Sequence, residues 1–252
     1  KLRDQLRTNG EIIFVNNGEE DYHFDPVMQY IDTYVRLKRN SGAYLARNVG
    51  AVFAKGSLLL FIDDDGIPSD NLVKVHRNAH DDRDILVARG SCYSKDPSKD
   101  PQHYDLGPEV RPALTLLEGN ASYRSDAFYK IGGWGDYIMF GHGGLELSCR
   151  LLEVDPDKRK QIYIPGARLR HEYGKNARQL RIKKEKQTRS FDLLNKLHPS
   201  LNREISQWPD SFRGKKEMYQ SENNPPSRVT EVSLGRAVSR RNLSVSIPEK
   251  EV

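Results

Sequence analysis

The sequence contains little cysteine and no long apolar run. Its 252 residues include two cysteines, Cys92 and Cys149, whose separation is unlike that of a zinc site. We expect both thiols to be reduced, as in the cytoplasm. No run approaches the roughly 18 apolar residues that a membrane-spanning helix needs. These absences argue against a disulfide-stapled module, a zinc module and a membrane-embedded protein, and they favour a cytoplasmic location.

Basic residues are concentrated at one end of the sequence. Residues 176–252 contain 16 Lys and Arg against 9 Asp and Glu, a net charge of +7, so the first 175 residues carry −2 of the total of +5. We therefore expect a near-neutral domain over residues 1–175 and a basic C-terminal extension over residues 176–252, with a basic amphipathic helix over 177–197 and an extended or disordered tail over 209–252. Such an extension contacts an anionic membrane, a nucleic acid or an acidic protein, or it is only a solvated surface.

Strand-like and helix-like segments alternate along the first 175 residues. Glu11–Val15, Ser57–Ile62 and Gln161–Pro165 are short apolar runs typical of strands. Ala43–Lys55 and Leu145–Val154 instead have apolar residues at helical spacing. This alternation predicts an α/β fold with a parallel, layered sheet.

Two histidines, His76 and His80, are four residues apart on a predicted helix. At this spacing both side chains would lie on one helix face, as paired metal ligands do. No third ligand accompanies them in the sequence, so we interpret them as a surface pair.

Three consecutive carboxylates, Asp63, Asp64 and Asp65, directly follow the predicted strand Ser57–Ile62. Ligands of α/β proteins bind at the carboxyl ends of the strands, which is where these side chains would lie. A divalent cation such as Mg²⁺ or Mn²⁺ would explain why the mutual repulsion is tolerated, because hard cations take oxygen ligands. A solvated acidic turn is the alternative that the spacing alone leaves open.

The residues on both sides of the carboxylates resemble the family 2 glycosyltransferases, whose GT-A fold implies a mixed, mostly parallel sheet flanked by helices. The stretch KRNSGAYLARNVGAVFAKGSLLLFIDDDGIP, residues 38–68, is similar to the family's Ala-Arg-Asn segment, its following strand and its Asp-x-Asp motif. The stretch LEGNASYRSDAFYKIGGWGDYIMFGHGGLELSCRLL, residues 117–152, is similar to the acceptor-side segment. The resemblance covers roughly residues 11–175, with the motifs in family order. It is specific for the family and weak for the substrate.

The resemblance implies a metal site and a donor site around the carboxylates. Asp63, Asp65 and His171 would hold the divalent cation, Mn²⁺ or Mg²⁺, that bridges the donor's diphosphate. Asn48 would line the nucleotide side, and Asp64 would point away from the metal. The residues expected to bind the donor are Asn16, Arg47, Asp63, Asp64 and Asp65. A surface salt bridge for Arg47 and a structural role for His171 are the alternatives.

The resemblance also implies an acceptor site in the second stretch. Asn120, Trp134, His142 and Glu146 are expected to contact the acceptor. The ring of Trp134, which follows two glycines, would stack on the face of a sugar or else pack as a loop aromatic. His142 lies between glycines beside the expected site and would offer a polar contact.

The chain departs from the family at two places. Gly143 and Gly144 stand where the family has a Glu-Asp pair, whose Asp is the usual general base of inverting members. Glu146 is the acid that remains, and it would be the general base, an acceptor contact or a residue that interacts with the dipole of its own helix. The family's first strand is also not found, so we expect part of the donor pocket to lie outside this sequence.

The resemblance implies a hexosyltransferase-type glycosyltransferase, inverting if Glu146 is the base. If no base is present, the alternative is a retaining reaction in which the leaving phosphate takes the proton. The enzyme would transfer a sugar from a nucleotide-diphospho-sugar, with a UDP-sugar favoured, to a hydroxyl of a glycan, polysaccharide or lipid-linked saccharide. We expect no nucleic-acid partner, and we expect the basic extension to offer a peripheral contact to anionic membranes. A catalytically impaired binding module and a nucleotidyltransferase are the alternatives that stay open.

Overall fold

The computed structural model describes residues 1–6, 9–94, 96, 104–138, 140–171, 177–200 and 243–246. Its α-helices are α1 Leu2–Leu6, α2 Asp25–Met28, α3 Ala43–Phe53, α4 Leu72–Ala79, α5 Ser125–Lys130, α6 Gly143–Val154 and α7 Ala177–Leu197. Its strands are β1 Ile13–Asn16, β2 Thr33–Leu37, β3 Leu58–Ile62, β4 Gly66–Pro68, β5 Val87–Tyr93, β6 Arg111–Pro112, β7 Asn120–Arg124, β8 Gln161–His171 and β9 Leu243–Ser246.

The strands form two sheets. The smaller has the order β1-β2-β9, and the larger has the order β3-β7-β5-β8-β4 with β6 also beside β8. Strands β1 and β2 are parallel, as are β5 and β8, whereas the other pairs are antiparallel. The prediction of a mixed sheet flanked by helices is confirmed, with more antiparallel pairs than the sequence indicated.

A cluster of aromatic rings forms the core beside β3 and β7. Trp134 is completely buried at its centre. Its ring centroid lies 5.7 Å from that of Tyr44, 5.3 Å from Phe61 and 5.5 Å from Tyr123. Because these rings come from α3, β3 and β7, their packing fixes those elements relative to the loop that precedes α6.

A buried polar network connects α4 to β7. His76 is fully buried, and its two ring nitrogens lie 2.8 Å from Ser122 Oγ and 2.9 Å from Asn120 Oδ1. His80 Nε2 lies 2.9 Å from the same serine hydroxyl. The interpretation of the two histidines as a surface pair is therefore wrong. Their hydrogen bonds satisfy the polar side chains of β7, which would otherwise be costly to bury.

Helix α7, the first part of the predicted basic extension, packs on α6. Phe191 and Leu194 belong to the same apolar cluster as Leu145 and Cys149. The opposite face of α7 is exposed and carries basic side chains, among them Arg181, Lys184 and Arg189. Of the tail predicted to be extended or disordered, residues 209–252, the structure describes β9, which is extended and pairs with β2, and the remainder lies outside the described residues. None of the helices in the described ranges is long and apolar enough to cross a membrane.

Candidate functional site

The triple carboxylate begins where β3 ends, beside the residues that precede β7. Because β3 and β7 are antiparallel with Ile62 opposite Asn120, Asp63 meets Gly119. The Asp63 N–H donates to the Gly119 carbonyl at 3.1 Å. A Cβ at position 119 would lie 2.0 Å from Asp63 Cγ, so the close approach requires glycine. This pairing brings Asp63 and Glu118 to the same edge of the sheet.

Arg47, on α3, joins these two carboxylates. Its Nη2 donates to Asp63 Oδ1 at 2.6 Å and its Nη1 to Glu118 Oε2 at 3.3 Å. The guanidinium also lies over the rings of Tyr44 and Trp134, 5.6 and 5.3 Å from their centroids. Burial disfavours the charge, but the two carboxylates outweigh burial and raise the pKa of Arg47. A charged guanidinium is therefore fixed beside the carboxylates.

Glu118 connects this edge of the sheet to the start of α6. The Tyr44 hydroxyl lies 2.8 and 2.7 Å from its two oxygens, and the Gly144 N–H donates to Oε1 at 2.8 Å. The Gly143 N–H donates to the Tyr44 hydroxyl at 3.0 Å. The first two N–H groups of α6 thus reach Glu118 directly or through Tyr44. Glu118 was not among the predicted site residues, although it directly precedes the Gly-Asn pair of the acceptor-side stretch.

The two glycines that open α6 leave no room for side chains. A Cβ at Gly143 would lie 2.3 Å from two carbons of the Tyr44 ring, and a Cβ at Gly144 would lie 2.4 Å from the Thr115 carbonyl oxygen. Such distances do not occur for real side chains unless something moves. The departure from the Glu-Asp pair is therefore matched by the surrounding residues, which occupy the space.

Glu146 faces the protein interior. Its side chain is 0% exposed, and Arg150 donates to both oxygens at 2.6 Å from Nε and Nη2. The Tyr137 hydroxyl and His198 Nε2 lie 2.5 and 3.3 Å from Oε1. Burial acts to raise the pKa of Glu146, but Arg150, His198 and Tyr137 outweigh burial and lower it to about 2. An enclosed carboxylate of low proton affinity does not fit the predicted roles of general base or acceptor contact. Its place in the first turn of α6 allows the interaction with the helix dipole.

Trp134 and Asn48 are parts of one buried contact. The Trp134 N–H donates to Asn48 Oδ1 at 2.8 Å, and the Asn48 amide donates back to the Trp134 carbonyl at 2.8 Å. Both side chains are fully buried. Stacking of Trp134 on a sugar and contact of Asn48 with a nucleotide do not fit this burial, and the packed-aromatic alternative for Trp134 does.

Asn120 is likewise enclosed. Its Nδ2 donates to the carbonyls of Ser91 and Ala167 at 3.0 and 2.8 Å, and its oxygen lies 2.9 Å from His76 Nε2. The amide therefore joins three elements of the larger sheet and α4, and an acceptor contact by Asn120 does not fit this geometry.

Asn16 organises the loop that follows β1. Its Nδ2 lies 2.8 Å from the Tyr34 hydroxyl and 3.0 Å from Asp21 Oδ1, and its Oδ1 accepts from the N–H groups of Gly18 and Glu19. The side chain is buried. Its role as a direct donor contact stays a prediction, and the contacts that the structure gives it are those of an Asx turn.

His142 precedes α6 in the left-handed backbone region, at φ +63°. This conformation is uncommon for a residue with a side chain and is most frequent at functional or tightly packed positions. The imidazole lies 5.3 Å, between centroids, from Phe191 of α7, and burial lowers its pKa. His142 is partly exposed beside Gly143, so it is the predicted acceptor residue that this geometry suits.

Asp65, which directly precedes β4, forms a pair with His171 at the end of β8. Gly66 is opposite His171 in this antiparallel pair, and His171 Nε2 lies 2.9 Å from Asp65 Oδ2. The Asp65 side chain is 59% exposed and that of His171 15%. Asp64 is exposed between Asp63 and Asp65. The described residues contain no preformed group of three or more His, Cys, Asp or Glu that could hold a metal ion.

Comparison with known proteins identifies the family. Residues 1–139 match the family described as "Glycosyl transferase family 2". The chain is 32% identical over 128 residues to a Bacillus subtilis (strain 168) protein named "Putative glycosyltransferase EpsH". The match covers 47% of this chain and 37% of that protein, so the chain spans little more than a third of its relative.

Solved structures share the fold at low sequence identity. The mannosyltransferase PcManGT from Pyrobaculum calidifontis, in complex with GDP-Man and Mn²⁺, is 15% identical with a TM-score of 0.57, covering 82% of this chain and 59% of that one. GalNAc-T7 with UDP, GalNAc and Mn²⁺ is 17% identical with a TM-score of 0.54, covering 83% of this chain and 47% of that one. The fold is therefore of the GT-A type, and the family match over more than half of its length shows that the chain belongs to glycosyl transferase family 2.

Proposed function

We propose that the protein is a metal-dependent glycosyltransferase that moves a sugar from a nucleotide-diphospho-sugar to a hydroxyl acceptor. The observation that carries the proposal is the proximity, in sequence and at one end of the larger sheet, of two polar pairs: Asp65 with His171, and Asp63 with Arg47. A diphosphate is bound by a divalent cation, which Asp65 and His171 could hold, and by an arginine such as Arg47, which donates to phosphate oxygens. The mannosyltransferase and GalNAc-T7 structures, which contain nucleotides and Mn²⁺, support the same reading.

The residues fit a divalent cation. Asp65 and His171 offer one oxygen and one nitrogen donor that already lie 2.9 Å apart and are open to solvent on the carboxylate side. They would hold Mn²⁺ or Mg²⁺, and the diphosphate would supply further oxygens. When bound, the cation neutralises the negative charge that develops on the departing diphosphate. Asp63, already paired with Arg47, is the weaker candidate for a ligand.

Arg47 would bind the donor's phosphates. Its guanidinium is 17% exposed, and its fork-shaped donors match phosphate oxygens in geometry. Asp63 and Glu118 hold the guanidinium in place before the donor arrives, so little side-chain freedom would be lost on binding. Asp63 would lie beside the donor and orient Arg47. The exposed Asp64 would be a weaker contact to the donor.

A donor screen tests this function. We expect the protein to release UDP from UDP-glucose, UDP-GlcNAc or UDP-GalNAc, or GDP from GDP-mannose, in the presence of Mn²⁺ or Mg²⁺. Chelation with EDTA should abolish release, and Asp65→Ala should lower it by on the order of 10²–10³-fold. Asp64→Ala is the comparison variant: it removes a neighbouring exposed carboxylate that we propose only as a weaker donor contact, and it should lower release much less. Full activity of the Asp65 variant in EDTA would contradict the metal role.

A catalytically impaired binding module is the second candidate function. The observation that favours it is the combination of Gly143 and Gly144 with an enclosed Glu146. Calorimetric binding of UDP or GDP with Mn²⁺, without turnover of any of the four donors, would support this candidate. Membership of family 2 argues against the nucleotidyltransferase alternative.

The acceptor would be a saccharide or a glycolipid, and the exposed basic face of α7 offers a contact to anionic membranes. Polybasic surfaces of this kind bind anionic lipid with about 1 kcal/mol per Lys or Arg. Sedimentation with phosphatidylserine vesicles at low and high salt tests this contact, with phosphatidylcholine vesicles as the control. The cytoplasmic location stays a prediction from the two cysteines, which lie buried and unbridged.

A further inference from the structure

We propose that Glu118 is the general base of this protein, the carboxylate that takes the proton from the acceptor hydroxyl. The inference rests on the proposed glycosyl transfer and names a residue for its proton-transfer step. Glu118 lies just before β7, whereas Glu146, the acid that the sequence suggested, lies within α6. The Glu118 carboxylate contacts the backbone N–H of Gly144 in the first turn of α6.

The first argument is the position of Glu118 relative to the other carboxylates. Asp63 and Glu118 both contact Arg47, and Glu118 also contacts the first turn of α6. Asp65 is paired with His171, and Glu146 is enclosed by Arg150, Tyr137 and His198. Of these four carboxylates, Glu118 alone lies between the phosphate-binding arginine and the helix that carries His142 at its N-terminus.

The second argument is the capacity of Glu118 to accept one more proton donor. A carboxylate offers about four acceptor positions. Glu118 receives the Gly144 N–H, one Arg47 N–H and the Tyr44 hydroxyl, which has a single proton although it lies near both oxygens. Burial and the neighbouring Glu118 raise the pKa of Tyr44 well above its ordinary value, so the phenol keeps that proton. One acceptor position remains, and the side chain is 16% exposed.

The third argument is that the local sequence is shaped around this carboxylate. Gly144 approaches Oε1 to 2.8 Å with its backbone N–H, and Gly143 does the same to the Tyr44 hydroxyl at 3.0 Å. A Cβ at either glycine would collide with Tyr44 or with the Thr115 carbonyl. The start of α6 has glycines in place of acids, and these glycines let the helix N–H groups approach Glu118 and Tyr44.

The step proceeds with balanced bonds. The acceptor oxygen forms a bond to the anomeric carbon while its proton passes to Glu118. The bond between the anomeric carbon and the phosphate oxygen breaks, and its electron pair leaves with the nucleoside diphosphate. Arg47, held by Asp63 and Glu118, presents its positive charge to the departing phosphate, and Glu118 then returns its proton to solvent.

The test uses water as the acceptor, because the natural acceptor is not needed for proton transfer. UDP release from UDP-glucose, UDP-GlcNAc and UDP-GalNAc, and GDP release from GDP-mannose, is measured with Mn²⁺ for the wild type and Glu118→Gln. We expect kcat for the best donor to fall by about 10²-fold or more. The Kd of UDP or GDP with Mn²⁺, measured by calorimetry, should change less than about threefold, because the glutamine oxygen still accepts from Gly144 while Asp63 continues to hold Arg47.

Matched variants separate proton transfer from positioning. Glu118→Asp and Glu118→Asn have the same size and differ in basicity, so the Asp variant should turn over at least about tenfold faster if the carboxylate is the base. This pair also decides the question if Glu118→Gln fails to fold. Tyr44→Phe keeps the carboxylate and should lower kcat less than Glu118→Gln does.

The outcomes are distinguishable. A kcat within about threefold of wild type in Glu118→Gln, or equal kcat values for the Asp and Asn variants, would overturn the assignment and leave glycosyl transfer standing. Parallel loss of nucleotide binding and kcat would make Glu118 a positioning residue for Arg47 and also overturn it. A wild-type protein that binds UDP or GDP without turnover would remove both the base and the proposed transferase in favour of the binding module. A wild type that binds neither nucleotide would remove the proposed function altogether.

Discussion

Glu118 and Glu146 have the same types of partner and opposite environments. Each carboxylate pairs with an arginine and a tyrosine, Arg47 and Tyr44 in one case and Arg150 and Tyr137 in the other. Glu146 is 0% exposed, whereas Glu118 is 16% exposed. Identical residue types can therefore make a structural ion pair or a site for chemistry, depending on what surrounds them.

The arginines show where the difference arises. Arg150 donates to the Ile131 and Gly133 carbonyls at 2.6 and 2.7 Å, so its remaining donors are used within the core. Arg47 instead donates to Asp63, whose side chain is 37% exposed. The contacts of Glu146 and Arg150 are all with interior groups, whereas those of Glu118 and Arg47 include the partly exposed Asp63 at the edge of the sheet.

The largest expected effect is on stability, at the enclosed pair. Arg150→Met leaves the Glu146 charge buried without its partner, and loss of one member of a buried pair costs about 3–5 kcal/mol. Arg47→Met, at the open pair, should cost less, about 1–3 kcal/mol, because Asp63 and Glu118 lose one charged donor but stay partly exposed. Urea denaturation of both variants measures the difference. Equal destabilisation by the two substitutions would remove the distinction between the pairs.

The next effect is the loss of stability in acid. Because the folded pKa of Glu146, about 2, lies below its ordinary 4.5, this carboxylate stabilises the fold above pH 4.5. That contribution, roughly 3 kcal/mol, is lost as the pH falls from 4.5 towards 2. Glu146→Gln should have a flatter stability profile than wild type in this window, measured by denaturation at several pH values.

His76 provides an internal control for the acid profile. Burial lowers its pKa to about 4 from 6.5, so its neutral form stabilises the fold above pH 6.5 and this contribution is lost between pH 6.5 and 4. Glu146→Gln should keep this earlier loss. A profile that flattens over the whole acid range would contradict the assignment to Glu146.

The third effect is on activity, at the open pair. Arg47→Lys keeps the positive charge but loses the fork that binds two phosphate oxygens. We expect kcat/KM for nucleotide release to fall on the order of 10²-fold, with a change in unfolding free energy below about 1 kcal/mol. The corresponding Arg150→Lys variant should show the reverse, a clear loss of stability with smaller loss of activity per folded molecule.

The smallest effect is at the contact between α7 and the enclosed pair. His198 Nε2 lies 3.3 Å from Glu146, and its Nδ1 lies 3.2 Å from Glu153. His198→Gln should cost about 1 kcal/mol, because Arg150 continues to neutralise Glu146. Thermal denaturation measures this cost. A loss as large as that of Arg150→Met would show that α7, and not Arg150, closes the site.

The sequence predicted the elements whose apolar pattern is local. Helix α3 begins at the predicted Ala43, and α7 covers the predicted residues 177–197. Strand β7 was missed, because its Asn and Ser side chains look exposed in the sequence and are buried only through their bonds to His76 and His80. Local periodicity does not contain such tertiary partners.

The same limit explains which site residues could be predicted. The pairing of Asp65 with His171 follows from motif order, and a link between Arg47 and Asp63 from the short segment that joins them. The ion pair of Glu146 with Arg150 was not predicted, although their spacing of four residues on one helix is the signal that could have indicated it. The burial of Glu146 involves His198, which follows α7, far away in the sequence. Glu118 likewise contacts Gly144 and Tyr44, which lie 26 and 74 positions from it.

Gly119 has a consequence for the design of variants. With 2.0 Å between a Cβ at this position and Asp63 Cγ, even an alanine would displace the Asp63 carboxylate from the place where it holds Arg47. Substitution there would change the distance between phosphate binding and proton transfer without removing any functional group. A library aimed at new donors should keep Gly119 constant and vary the exposed Asp64. The positions of Asp63 and Glu118 are then retained while the exposed surface of the site changes.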